Sequence, residues 1–145
     1  MVPLMNRRLL CLAVLGLTTA APAAGREVVT CQSWRHQPID VTSDSRIPAF
    51  VPDRGWVSVH PRGVEGPQPD GQCSTERFLA RLAQTTIVLT LRNARLVAFC
   101  APRDVGANDV EAVVLIDGVD LQRILVDAAL AQPVDGTPRR DWCAH

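Results

Sequence analysis

Apolar and polar positions follow several distinct rhythms along this chain. Trp56-Val57-Ser58-Val59 alternates with period two and predicts a short strand over Gly55–Val59. Around Val28, Val29 and Cys31 a looser alternation predicts an edge strand within Arg26–Val41, interrupted by Pro38. Thr42–Pro52 is polar and broken by proline, and Pro61–Asp70 is so crowded with Gly and Pro that a loop is expected. Ser74-Thr75-Glu76 can open a helix, with Ser74 as N-cap and Glu76 near the positive end of the dipole. Phe78, Leu79, Leu82 and Ala83 then share one helical face. Pro102–Asp109 reads as turn or loop, Val110–Ile116 as a buried strand and Asp117-Gly118 as a tight hairpin turn. Asp120 caps a second helix expected from Leu121 to about Ala131, with Leu121, Ile124, Leu125, Ala128 and Ala129 as its apolar stripe. Pro133 ends it.

Thr85–Cys100 fits two patterns. Thr86-Ile87-Val88-Leu89-Thr90-Leu91 is rich in β-branched residues and locally favours a strand. Phe78, Leu82, Thr86 and Leu89 nevertheless continue a 3.6-residue period, and Leu96–Cys100 can supply the strand instead. Periodicity alone leaves both open.

The N-terminus reads as a leader rather than as structure. Arg7 and Arg8 precede the apolar run Leu9–Leu17, which is too short for a membrane-spanning helix, and Ala21-Pro22-Ala23 fits an A-x-A cleavage pattern. Residues 1–23 are therefore expected to be a signal peptide, and 24–145 a single domain of about 120 residues, enough for one modest core. Cys11 lies inside the apolar run, which argues against a lipid-modified cysteine. The exported chain is expected in the periplasm or the medium, as a monomer with no membrane partner.

Charge and cysteine content narrow the possibilities further. Without Arg7 and Arg8, thirteen arginines face fifteen Asp and Glu, a net charge of −2 with histidine neutral. That is a weak electrostatic footprint for nucleic acid. All of the positive charge is arginine. Cys31, Cys73, Cys100 and Cys143 remain after cleavage, an even count that reads as two disulfides with three possible pairings. A zinc site using His36, His60 or His145 has no C-x2-C or H-x3-H spacing behind it. There is also no G-x-S-x-G nucleophile elbow and no phosphate-cradling glycine loop.

One stretch is more specific than the rest. From Glu111 to Cys143 an apolar strand leads to DG-x-D, a helix with L-V-x-A-x-L-A, and P-x-DG-x-x-R-R-x-W-C. This closely resembles the C-terminal half of staphylococcal-nuclease-like (thermonuclease) domains of exported bacterial proteins, which often read VDGxDLxxxLVxAGLARPYDGGxRxxWC. Extended backward, the resemblance places Arg103-Asp104 on the family's R-D-K-Y-G-G-R loop and Gly71–Glu76 on its G-x-C-x-x-E segment. It implies one helix from Ser74 to about Asn93, a strand from Arg95 to Ala101, and a five-stranded OB-type β-barrel carrying helices, an α+β fold. Cys73 and Cys143 both belong to the matched motifs and are expected to pair, leaving Cys31 with Cys100.

Active members of the family hydrolyse phosphodiesters with a carboxylate-bound calcium ion, a glutamate that assists the attacking water and two arginines on the phosphate. Metal and cationic donors must face the charge that develops on the phosphoryl oxygens. This chain departs from that set. Val64–Gln68 aligns with I-D-[TA]-P-E, so Glu65 stands for the aspartate ligand and Gln68, which cannot act as a base, for the glutamate. His60 holds the upstream arginine position, with Arg62 expected on the other strand face, and Asp109 holds the Y-G-R arginine position, a charge reversal. Ser43-Asp44-Ser45-Arg46 is the nearest counterpart of the family's DGDT, and no tyrosine is present.

Two functions are therefore expected to compete. The first is an exported thermonuclease-like OB-fold protein without nuclease activity, acting as a binding or structural module with no cofactor and an unknown partner. The second is a calcium-dependent nuclease with Glu65 and Asp44 as ligands and Arg62 or Arg103 on phosphate.

Overall fold

The computed structural model describes residues 29–144; residues 1–28, with the expected signal peptide and Val28 of the expected edge strand, and His145 lie outside them. Nine strands, β1 (Cys31–Gln32), β2 (Arg35–His36), β3 (Ile47–Val51), β4 (Gly55–Pro61), β5 (Val64–Glu65), β6 (Val97–Asp104), β7 (Asp109–Ile116), β8 (Val119–Asp120) and β9 (Gln132–Pro133), combine with two helices, α1 (Ser74–Asn93) and α2 (Leu121–Asp127). The result is a mixed α+β fold.

The main sheet runs β1-β6-β7-β4-β3-β2, with β8 added to β7, while β5 and β9 make a separate two-stranded ladder. All main-sheet pairs are antiparallel except β4 with β7. The main sheet does not close into a barrel, where a five-stranded OB-type barrel was expected. Its outermost strands, β1 and β2, do not pair with each other and are separated in the chain only by Ser33 and Trp34. The break has a visible cause: Trp34 is buried and stacks on Phe99 with ring centroids 5.2 Å apart, while its Nε1 donates to Gln32 Oε1. Anchoring the indole this way interrupts the extended run.

β7 shows the strand rhythm most fully. Val110, Ala112, Val114 and Ile116 are all buried, and the intervening positions are only half-covered. They meet Ile47, Ala49, Val57 and Val59 of β3 and β4 and Val97 and Phe99 of β6 in one core. β6 continues through a bulge between Cys100 and Arg103 to Asp104, so part of the expected loop after Pro102 is strand. The turn after β7 has Asp117 and Gly118 at φ +49° and +84°, the two left-handed positions of a type I′ hairpin. Asp117 Oδ1 also accepts the N–H groups of Arg95 and Leu96, tying this turn to the α1–β6 connection.

α1 spans the residues that the resemblance implied, but its orientation differs from the expected one. The buried side is Glu76, Ala80, Ala83, Ile87 and Leu91, whereas Phe78, Leu82 and Leu89 are exposed. Ala83, Ile87 and Leu91 join the common core, with Leu79 and Val88 packed against it at the edge. The N-cap is Cys73, not Ser74: its Sγ accepts from Glu76 N–H.

α2 starts as expected, with Asp120 accepting from Gln122 N–H, yet stops at Asp127 rather than near Ala131. Ala129 takes φ +57°, Ala129 N–H reaches Val126 O and Leu130 N–H reaches Leu125 O. Those two bonds form a Schellman cap, closed by the buried Leu125 and Leu130. Ala129 stands where the resembled pattern carries glycine, so a Cβ is held in a left-handed conformation that disfavours it.

Two disulfides join Cys31 to Cys100 and Cys73 to Cys143, the pairing expected from the matched motifs. The first fastens β1 across β6, and the second fastens the tail to the start of α1. Among the described residues no helix is long and apolar enough to cross a membrane.

Candidate functional site

Beyond the end of β4 the chain bends away from the sheet, and the Gly- and Pro-rich segment expected to be pure loop instead forms β5 against β9, with Val64 opposite Pro133 and Glu65 opposite Gln132. Between this ladder, the β4 end and the Thr42–Arg46 turn lies a cavity of about 460 Å³. His60, Arg62, Glu65 and Gln68 line it, with Asp44 and Arg103. Three of the four family-equivalent positions thus share one cavity. The fourth, Asp109, adjoins it through His60, whose Nε2 lies 3.1 Å from Asp109 Oδ1.

Arg62 does not take the opposite face. β4 ends at Pro61, so the strand alternation no longer governs the next residue, and Arg62 lines the cavity with His60. Its Nη2 donates to Ala101 O at 2.5 Å, while its buried Nε has no protein partner among the described residues.

The cations around the cavity are otherwise engaged by carboxylates of the same chain. Arg46 Nη1 lies 3.2 Å from Asp109 Oδ1 and its Nε 2.5 Å from Asp44 Oδ2. Arg103 Nη2 lies 2.5 Å from Glu111 Oε2. Arg139, arriving on the C-terminal tail, bridges Glu65 Oε1 at 3.4 Å and Glu76 Oε1 at 3.1 Å. For Asp44, burial opposes the charge, but bonding from the Thr42 hydroxyl and the adjacent Arg46 outweigh it and hold the carboxyl below its ordinary value of 3.8. Because the folded value is depressed, that contribution to stability is present above the ordinary value and lost as pH falls through the folded one.

Glu76 fixes one wall. It is buried at the start of α1 and accepts the backbone N–H groups of Gln68 and Gln72 as well as Arg139. A Cβ at Gly71 would lie 2.5 Å from Glu76 Cγ, so only glycine leaves room for the carboxylate there. Gln68, held by its backbone to Glu76, turns its amide Nε2 toward Gly66 O at 3.4 Å.

Neither a protein-family model nor a curated protein matches this chain.

What the arrangement can do follows from the donors themselves. Calcium takes six to eight oxygen ligands, dominated by carboxylates. Asp44 and Glu65 both line the cavity, but each is held by an arginine, and no group of three or more His, Cys, Asp or Glu gathers among the described residues. As placed, these residues do not fit a calcium ion. Of the residues weighed for a zinc site, all four described cysteines are in disulfides, His36 Nδ1 lies 3.3 Å from Trp34 O, and His145 lies outside the described residues. Sequence reasoning did not assign Arg46, Glu111 or Arg139 to these ion pairs. The Arg139-Arg140 pair within the resembled tail was the available signal for the last of them.

Proposed function

We propose that this chain is an exported, staphylococcal-nuclease-like module of OB type whose phosphodiester-cleaving site has been emptied, leaving a binding or structural role in the periplasm or medium. The observation that carries this reading is Asp109: a single carboxylate oxygen faces both Arg46 and His60, at the alignment position where the resembled family carries an arginine for phosphate. Gln68, in place of the glutamate, cannot take a proton from water, and Arg46, Arg103 and Arg139 are each held by a carboxylate of the same chain. The OB reading is supported by the parallel β4–β7 pair and by the short Cys31–His36 stretch, whose two halves pair with opposite edges of the sheet.

The competing reading, a calcium-dependent nuclease with Asp44 and Glu65 as ligands, has one feature in its favour. Arg62 faces the cavity without a carboxylate partner among the described residues. Incubation of oxidised protein with single-stranded DNA and calcium separates the two. No cleavage above a protein-free blank is expected; calcium-dependent turnover abolished by Glu65→Gln would overturn the emptied-site reading.

A further inference from the structure

The outward side of α1 carries an unpartnered apolar face. Phe78, Leu82 and Leu89 are 61%, 41% and 52% exposed. At 3.6 residues per turn they fall within roughly 40° of arc, forming one line along the helix. Arg81 and Arg92, both exposed, run along one side of that line, and exposed Arg95 follows just beyond the helix. None of the three takes part in an ion pair among the described residues. The sole carboxylate of α1, Glu76, is buried and tied to Arg139. Nearby Asp117 is occupied by the N–H groups of Arg95 and Leu96.

An apolar line bordered on one side by unpaired arginines and free of acidic residues is the pattern of a helix that lies in a membrane interface. We propose that this face of α1 docks on an anionic lipid surface, with Phe78, Leu82 and Leu89 entering the boundary between headgroups and acyl chains and Arg81 and Arg92 on the lipid phosphates. Charge complementarity selects this occupant. A second copy meeting this one through the same helix face would bring the same arginines and no carboxylate to meet them, and a nucleic-acid backbone offers nothing apolar to cover the three side chains. The absence of a second long apolar run led to the expectation of no membrane partner; it bears on spanning helices and leaves a docking face open. The proposal stands apart from the reading of the cavity.

The test is co-sedimentation of the processed, oxidised protein with vesicles of equal phosphatidylglycerol and phosphatidylcholine, against phosphatidylcholine alone. Partitioning about tenfold higher on the anionic vesicles is expected, diminishing with salt. Phe78→Ser/Leu82→Ser/Leu89→Ser and, separately, Arg81→Glu/Arg92→Glu should each reduce it by about tenfold, while near-ultraviolet circular dichroism and the disulfide map stay unchanged. The proposal is overturned by no sedimentation with anionic vesicles, by equal sedimentation with both, or by binding that folded versions of these variants retain. An oligonucleotide mobility shift lost with the arginine pair but unaffected by the serine triple, without vesicle binding, would assign the face to nucleic acid instead.

Discussion

Around the cavity, Arg46, Arg103 and Arg139 each end on a carboxylate of the same chain, whereas on the outer face of α1 Arg81 and Arg92 have no such partner among the described residues. The two regions use the same residue type to opposite effect. A paired guanidinium presents little net field to a ligand, and recruiting it requires breaking an existing contact. An unpaired one needs only partial desolvation. A whole-chain charge near zero is the sum of both and describes neither. Distribution, not total, separates a cavity whose arginines are mostly paired from a helix face whose arginines are not.

The contrast between packed and unpartnered sides of α1 can be broken most severely by substitution. Ile87→Ala, on the buried side, is expected to lower stability by about 3 kcal/mol, whereas Leu82→Ser, on the outer side, should change it by no more than about 0.5 kcal/mol. Urea unfolding of the two variants checks this, and equal losses would mean that the helix is rotated from its placement here.

Glu76→Gln attacks the anchor shared by the cavity wall and the helix start. Removing the charge that Arg139 and two backbone N–H groups face should cost about 2 kcal/mol. The same variant should loosen the tail, measured as faster amide exchange at Gln68 and Gln72. Unchanged exchange would show that Cys73–Cys143 alone holds that segment. Smaller and opposite in sign, Ala129→Gly should stabilise by about 1 kcal/mol because the left-handed cap no longer carries a Cβ. Thermal unfolding of the oxidised variant reads it directly.

These residues also show how much of the molecule could be read from sequence. The hairpin at Asp117-Gly118, the Asp120 cap and the length of α1 were legible because turn chemistry and a specific motif announce them. The facing of α1 was not, since apolar residues recur at helical spacing on both sides and only the fold selects Ala80, Ala83, Ile87 and Leu91 as the buried set. β5 was hidden because two residues in a Gly- and Pro-rich segment pair with a strand far along the chain. α2 ended early because Ala129 adopts a conformation that residue type alone argues against. At the cavity, His60, Glu65 and Gln68 were anticipated together through the resemblance, and Asp109 was flagged as a charge reversal. The ion pairs that give the reversal its consequence were invisible, because Arg46 and Asp109 are 63 positions apart and meet only in the fold.

The most direct test of the silenced cavity is the anisotropy of a labelled single-stranded oligonucleotide at low salt, titrated with protein carrying Asp109 or Asp109→Asn. Both proteins should carry Arg81→Glu/Arg92→Glu so that the helix face is not read. With Asp109 present, no saturable binding is expected. With Asn, Arg46 and His60 lose their shared carboxylate, and salt-sensitive saturable binding should appear, with an anisotropy change at least about fivefold that of the Asp109 protein at the same concentration. Saturable binding with Asp109 in place, or no gain on its removal, would contradict a cavity silenced by its own carboxylates.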